Sequence, residues 1–380
     1  MPLGAIKIID FTRLLPGPYC TEILADFGAE VIKIEEPQKG DYSREYGTKV
    51  GGNGAMFASI NQNKKSVCID LQTEQGKSQI MALIQEADVL VESFRPRVMQ
   101  KLGLDYETVK TVNPNIIYCS ISGYGQYGPY AQKAGHDINF LSYTGILDLM
   151  CKGKQVIDYE MLIPPVQITD ISASLNSVIA ILIALINRQK TGEGQYIDIS
   201  IMDSVIASSM QCVLPEYYAS RKMPNGDNNQ LFGKCANYGV YRTKDNRLLT
   251  VAAIEPKFWR AFCNAIQKEE LITCIEDTQK LITCREEVQS IIQTKTLKEW
   301  ENIFSEVDAC VTPVIRIDEL ETNQHVKVRK LLSYEEENIK LESPFKFSTI
   351  HMHARSKAPM LGEHSKEILA KYHLVGVKDI

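Results

Sequence analysis

Residues 5–34 read AIKIIDFTRLLPGPYCTEILADFGAEVIKI. Ala5–Phe11 is a short apolar run of the kind a buried strand shows. A Pro16-Gly17-Pro18 turn follows, then a helical stretch over Tyr19–Phe27 that Gly28 stops. Glu30–Ile34 is a second strand. Strand, helix and strand within about 30 residues form a βαβ unit, whose two strands run parallel.

The pattern returns downstream. Ser66–Asp70 reads as a strand, Glu74–Glu86 as a helix, and Val89–Glu92 and Ile116–Ile121 as further strands. Such alternation predicts an α/β fold with a Rossmann-like parallel sheet covered by helices. The turn Thr12–Pro18 lacks G-x-G-x-x-G, so the sheet carries no dinucleotide signature. Asp170–Lys190 is the strongest helix, with an apolar stripe at Ile171, Leu175, Val178, Ile179, Leu182 and Leu185 and a stop at Gly192. Tyr196–Ser200 is then a strand and Met202–Tyr218 a long helix. Lys222–Asn229 has boundary composition, rich in Asn, Gly, Asp and Pro. Tyr238–Ile254 reads as a hairpin around Lys244-Asp245-Asn246, residues 256–306 as mostly helical, and Asp308–Ile315 as a strand. The expected organisation is a large Rossmann-like domain over 1–200, a linker helix over 201–224, a smaller α+β domain over 225–320, and a return segment over 321–380 packing on the large domain.

Bulk properties narrow the function. A chain of 380 residues fits two domains or one large α/β body with an insert, and 44% apolar with 23% charged residues is ordinary for a globular protein. A net charge of -5, mixed along the chain, gives no basic surface for nucleic acid or an anionic membrane. Met1–Phe11 carries Lys7 and Asp10 and lacks signal-peptide architecture. The most apolar run, Ser177–Ile186, is shorter than the ~20 residues of a membrane helix. Ten scattered cysteines without a C-x-x-C pair are expected to be buried free thiols in a reducing cytoplasm. No clustered ligands suggest a metal.

Three residues could carry chemistry. Of six histidines, five lie at or after His325, and only His136 precedes them. It follows the Gly- and Tyr-rich loop Ser122–Tyr130 at a strand end, where open parallel sheets bind ligands, although a lone histidine is more often structural. Asp170 precedes the apolar helix at the N-cap position. It is either a cap worth ~1 kcal/mol or a carboxylate held ionised by the helix start as a base or nucleophile. Glu255, between an apolar strand and Pro256, is either a helix-start residue or a group that orients a histidine.

Several segments together resemble the family III CoA-transferase superfamily. They are Ile9-Asp10-Phe11-Thr12, Pro16-Gly17-Pro18, Ala25–Ala29 with Val31–Glu35, Asn61-x-Asn63-Lys64-Lys65-Ser66, Asp88–Glu92, Arg95-Pro96, Gly123–Gln126 and Thr191-Gly192-x-Gly194-Gln195. Gly135-His136-Asp137-Ile138-Asn139, Ala253–Pro256 and Asp308–Pro313 are similar to its α-methylacyl-CoA racemase branch. The resemblance implies His136, Asp170 and Glu255 as the racemase set, and Asp170 as the nucleophile of the transferases. It implies Arg44, Asn63, Lys64, Arg95, Gly135 and Asp137 as contacts of coenzyme A, which enters as part of the substrate with no tightly bound cofactor. It also implies an interlocked homodimer. The chain departs from the racemases at Ile171–Ser174 after the catalytic aspartate, at Cys235–Tyr238 before the hairpin, and at Glu36, where they carry a CoA-contacting arginine.

Racemisation of a 2-methylacyl-CoA needs two bases, His136 and Asp170, and donors for an enolate, expected from the helix 170–190 start. CoA transfer instead needs Asp170 to attack the thioester and pass through an aspartyl-CoA intermediate. The racemase reading is preferred, transfer is the alternative, and a non-catalytic acyl-CoA-binding protein is a remote third.

Overall fold

Six short strands form one wholly parallel sheet: β1 (Lys7–Asp10), β2 (Glu30–Glu35), β3 (Lys64–Cys68), β4 (Val89–Glu92), β5 (Ile117–Ser122) and β6 (Gln195–Ser200). Their order is β3-β2-β1-β4-β5-β6. This is the doubly wound arrangement, and it places a topological switch between β1 and β4. The strands are apolar on both sides because both faces are covered. On one face Ile8, Val31, Val89, Ile117 and Cys119 are buried, and on the other Ile9, Ile32, Val67, Leu90 and Tyr118.

The computed structural model describes residues 1–151, 163–224, 230–233, 235–275, 280–335, 338–350, 352 and 355–371. They fall into two units. The first comprises 1–146, 163–211 and the described residues of 330–371, and the second 147–151 and the described residues of 212–329. The unit boundaries lie at 146/147, 162/163, 211/212 and 329/330.

In the first unit, helix α1 (Pro16–Asp26) starts at the Pro-Gly-Pro segment rather than after it. Proline has no N–H to lose in a first turn and its φ already suits a helix, so the expected turn is the helix start. Helix α2 (Glu74–Gln85) is capped by the Thr73 hydroxyl, which accepts from the Gly76 N–H. Short helix α3 (Asp137–Tyr143) follows the β5 loop, and α4 (Ile168–Thr191) precedes β6. Gly192, at φ 75°, ends α4 in a left-handed cap that a side chain would strain.

Helix α4 is 24 residues long and, by length and composition alone, apolar enough to cross a membrane, longer than the Ser177–Ile186 run suggested. Its Ala173, Ser177, Ile181, Ala184 and Leu185 are buried. Leu175 and Ile179, expected on the core stripe, are 42% and 55% exposed. Helix α5 (Ile201–Ser209) closes the sheet region. The C-terminal helix Ser365–Lys371 packs on β3, the Ser365 hydroxyl accepting from the Cys68 N–H at 2.9 Å.

In the second unit, helix α6 (Val213–Ser220) restarts after a break at Met210–Cys212, so the single helix expected over 202–218 is two. Pro215 explains the break: inside a continuous helix it would remove a hydrogen bond and clash with the carbonyl four residues back. Hairpin β7 (Tyr238–Arg242) and β8 (Leu248–Ala252) pairs with β9 (Val311–Pro313) in an antiparallel sheet. Helices α7 (Pro256–Ala265), α8 (Leu281–Ile292) and α9 (Leu297–Phe304) cover it through Trp259, Phe262 and Trp300.

Cys274 and Cys284 are joined as a disulfide, with Cα atoms 6.2 Å apart. The expectation that all ten cysteines are free thiols is therefore corrected. Folding brings this pair together at the start of α8, which spacing alone does not reveal. Of the remaining cysteines, Cys20, Cys119 and Cys263 are buried, whereas Cys212 is exposed.

Candidate active site

The loop leaving β5 carries His136. Tyr124, Tyr130, Phe140 and Tyr143 pack edge-on or tilted at 4.8–5.8 Å between centroids. The Lys133 ammonium sits 4.1 Å over the Tyr130 ring and donates to the Tyr143 hydroxyl at 3.1 Å. Gly135 is required by this packing, since a Cβ there would lie 2.7 Å from the Phe140 ring. His136 is exposed and precedes the first residue of α3, where its N–H donates to the Asn139 side-chain oxygen at 3.0 Å.

Asp137 joins this loop to α4. Its Oδ1 accepts from the Thr169 N–H at 2.7 Å, the Thr169 hydroxyl at 2.6 Å and the Asp170 N–H at 3.2 Å. His136 and Asp170 are thus chain neighbours of two hydrogen-bonded residues. Asp170 is not the N-cap, as the sequence suggested. Gln167 holds that place, and Asp170 lies in the first turn. The physical reason is that Asp137, 33 residues upstream, supplies the acceptor that the helix start needs.

The electrostatics also differ from expectation. Burial first, and the negative charge of Asp137 second, push the Asp170 carboxyl up to about 7. The helix start therefore does not hold it firmly ionised. Its carboxyl oxygens accept no hydrogen bond among the described residues, so the group exchanges protons near neutral pH without breaking a contact. Glu92 is another carboxyl at about 7, raised chiefly by burial, but it accepts from the Phe94 N–H at 2.8 Å. The enolate donors expected at the start of α4 are also taken: Thr169 and Asp170 N–H bond Asp137, and Ile171 N–H bonds the Gln167 carbonyl at 3.0 Å.

The residues named as CoA contacts divide. Arg44 is buried, with four of its five N–H groups donating to Glu35, Asn53 and the Pro359 carbonyl at 2.6–3.0 Å. Its guanidinium lies 3.8 Å from the centroid of the Phe57 ring. Lys64 is buried, and its ammonium donates to Asp10, the Pro18 carbonyl and Asn61 at 2.8–3.1 Å. In this conformation both are internal cations and neither offers a free charge to a phosphate. Asn63 is held by Ser356 and Asp26. Arg95 is exposed.

Arg13, which the sequence reading passed over, lies beside the switch between β1 and β4. Its N–H donates to the Ser93 hydroxyl at 3.1 Å, and its guanidinium sits 5.2 Å from the Tyr42 ring centroid and 5.4 Å from that of Phe94. Its signal was a lone basic residue in the turn after β1, the position where doubly wound sheets take ligands. Glu255 belongs to the second unit. It is exposed at the N-cap of α7, and its carbonyl accepts from Phe258 and Trp259 N–H at 3.0 and 3.1 Å.

Comparison with known proteins agrees with this architecture. The model of CoA-transferase family III matches residues 3–365. The α-methylacyl-CoA racemase of Homo sapiens is 30% identical over 376 residues, 98% of this chain and 94% of its own length. A succinate–glutarate CoA-transferase of Agrobacterium fabrum is 32% identical over 401 residues, covering 98% of this chain and 96% of its own. The crystal structure of a CAIB/BAIF family protein from Brucella suis superposes with a TM-score of 0.85 at 29% identity, covering 98% and 99% of the two chains. A sheet ordered β3-β2-β1-β4-β5-β6, an aspartate at the start of the long helix before β6 and a match over nearly the whole length lead to one conclusion: this chain belongs to CoA-transferase family III.

Proposed function

We propose that the chain is an isomerase that inverts the α-carbon of a 2-methylacyl-CoA, with Asp170 and His136 as its two bases. The observation that carries this reading is the Asp170 carboxyl at about 7, without a hydrogen-bond partner among the described residues and tied through Asp137 to the loop that bears His136. A base poised near the working pH moves a proton in either direction with little penalty. In one direction the Asp170 carboxylate takes the α-proton, the C–H electron pair moves into the thioester as an enolate, and the His136 imidazolium returns a proton to the other face. The reverse direction exchanges the roles. Arg13 and Arg95 are the proposed contacts of the CoA phosphates, in place of the internal Arg44 and Lys64. The proposed substrate is soluble, and no nucleic acid or membrane is required.

The second reading is CoA transfer, in which the Asp170 carboxylate attacks the thioester and carries CoA to a second acid. It is favoured by relatives of that activity at the same level of identity as the racemases. It leaves the α-carbon untouched and does not need His136.

Deuterium separates the two. In D2O, the racemase reading expects incorporation at C2 of a 2-methylacyl-CoA, falling about 10²–10⁴-fold in His136→Ala, the range of a lost general acid or base. Mass spectrometry of the acyl-CoA reads both. If no deuterium enters while a second carboxylic acid collects CoA, the isomerase reading is wrong and transfer stands in its place.

A further inference from the structure

We propose that Asp137 is a positioning residue of the Asp170 centre: its carboxylate clamps the first turn of α4 to the histidine-bearing loop, and its charge acts on the Asp170 carboxyl. The inference rests on the reading that places the chemistry at Asp170, but not on which reaction occurs there.

The geometry is specific. One carboxylate oxygen gathers three donors from two consecutive residues, at 2.6, 2.7 and 3.2 Å. A negative charge is favoured beside helix N–H groups, so the clamp stabilises the turn it holds. The same charge acts on the Asp170 carboxyl, and like charges disfavour joint ionisation. Asp137 therefore does two things at once: it fixes where Asp170 sits and it keeps a proton available there.

Apart from the exposed His136, the other titratable groups on the elements packed against α4 have contacts of their own or are buried. On α1, Glu22 and Asp26 pair with Arg355, Cys20 is buried, and Tyr19 is raised by burial first and by Glu22 second. On α3, Tyr143 is tied to Lys133. On β5, Cys119 is buried and the Tyr118 hydroxyl donates to the Leu104 carbonyl. On β6, Asp198 accepts from the Gln126 N–H, and Tyr196 is linked to Ser120; on α5, Asp203 acts on Asp198. Asp137 is the charge that acts on Asp170.

The test is Asp137→Asn, which keeps an oxygen for the three donors but removes the charge. Asp170 is followed by carboxyl 13C NMR of the full chain labelled at aspartate, its signal assigned by its loss in Asp170→Asn. The expected result is a downward move of the Asp170 titration by about one pH unit, the scale of a nearby charge on a carboxyl. The acid limb of the kcat/KM profile should move in the same direction, and a lower melting temperature is expected beside it because the neutral clamp is weaker. Asp137→Ser, a shorter neutral acceptor, serves if the Asn variant does not fold, with the same shift expected. A purely structural role would move the melting temperature and leave the titration in place. An Asp170 titration unchanged in the folded variant overturns the proposal, whatever the deuterium experiment says about the reaction.

Discussion

Replacing Asp170 with alanine is expected to lower kcat/KM by at least about 10³-fold while leaving the chain folded. The catalytic loss follows from both readings, since one uses the carboxyl as a base and the other as a nucleophile. The persistence of the fold follows from the structure. Asp170 is not the cap of α4, its carboxyl oxygens hold no partner among the described residues, and Asp137 keeps the helix start satisfied through the backbone of residue 170, which alanine retains. The variant should even gain relative to the parent as pH rises. Burial and Asp137 raise the folded-state carboxyl to about 7, above its ordinary value near 4. A carboxyl raised in this way favours the folded state at low pH, and that contribution disappears as pH climbs through the window from about 4 to 7. Alanine has no such ionisation, so the urea midpoint of the variant minus that of the parent should increase between pH 5 and pH 8. Full activity in a folded Asp170→Ala chain would remove the basis of both readings.

How much of this was legible in the sequence depends on the range of the interaction involved. The β1–α1–β2 unit was legible because burial on both sides of a parallel strand writes itself as a largely apolar run, and Ile8, Ile9, Val31 and Ile32 are buried. Asp170 was legible as a helix-start residue, and the family resemblance singled it out, but its exact place was not. That place is decided by an acceptor 33 residues away, and no local pattern reports such a contact. Arg44 and Lys64 show the same limit from the other side. Scattered basic residues look like a solvated face or a phosphate site, and only the folded chain brings Glu35, Asp10 and two backbone carbonyls to them. The Cys274–Cys284 disulfide, likewise, is a product of folding and has no motif.

Removing the buried cation at Lys64 should destabilise the fold by leaving Asp10 without its ion-pair partner. Lys64→Met is expected to destabilise the chain by about 3–5 kcal/mol, the range for breaking one half of a buried ion pair. Methionine fills the stem of the lysine, so packing changes little and the loss is electrostatic. Lys64 and Asp10 are both fully inaccessible at 3.1 Å, and Asp10 also accepts from the Thr12 N–H and from the Thr12 and Thr21 hydroxyls. Burial alone would raise Asp10, but Lys64, then Lys33 and the two hydroxyls, outweigh it and hold the carboxyl at about 2. A carboxyl lowered in this way stabilises the fold above its ordinary value near 4, and that support is lost as pH falls toward 2. Without Lys64 the Asp10 charge is left with Lys33 and the hydroxyls, its proton affinity rises, and the penalty for keeping it ionised is greatest near neutral pH. The stability gap between parent and variant, read as urea midpoints, should therefore be widest at pH 7 and narrow toward pH 4. Adding Asp10→Asn to Lys64→Met should recover part of the loss at pH 7, because the uncompensated charge is gone while the hydroxyl contacts can persist. A gap that is flat with pH, with no recovery in the double variant, would mean that packing rather than the ion pair is what Lys64 provides.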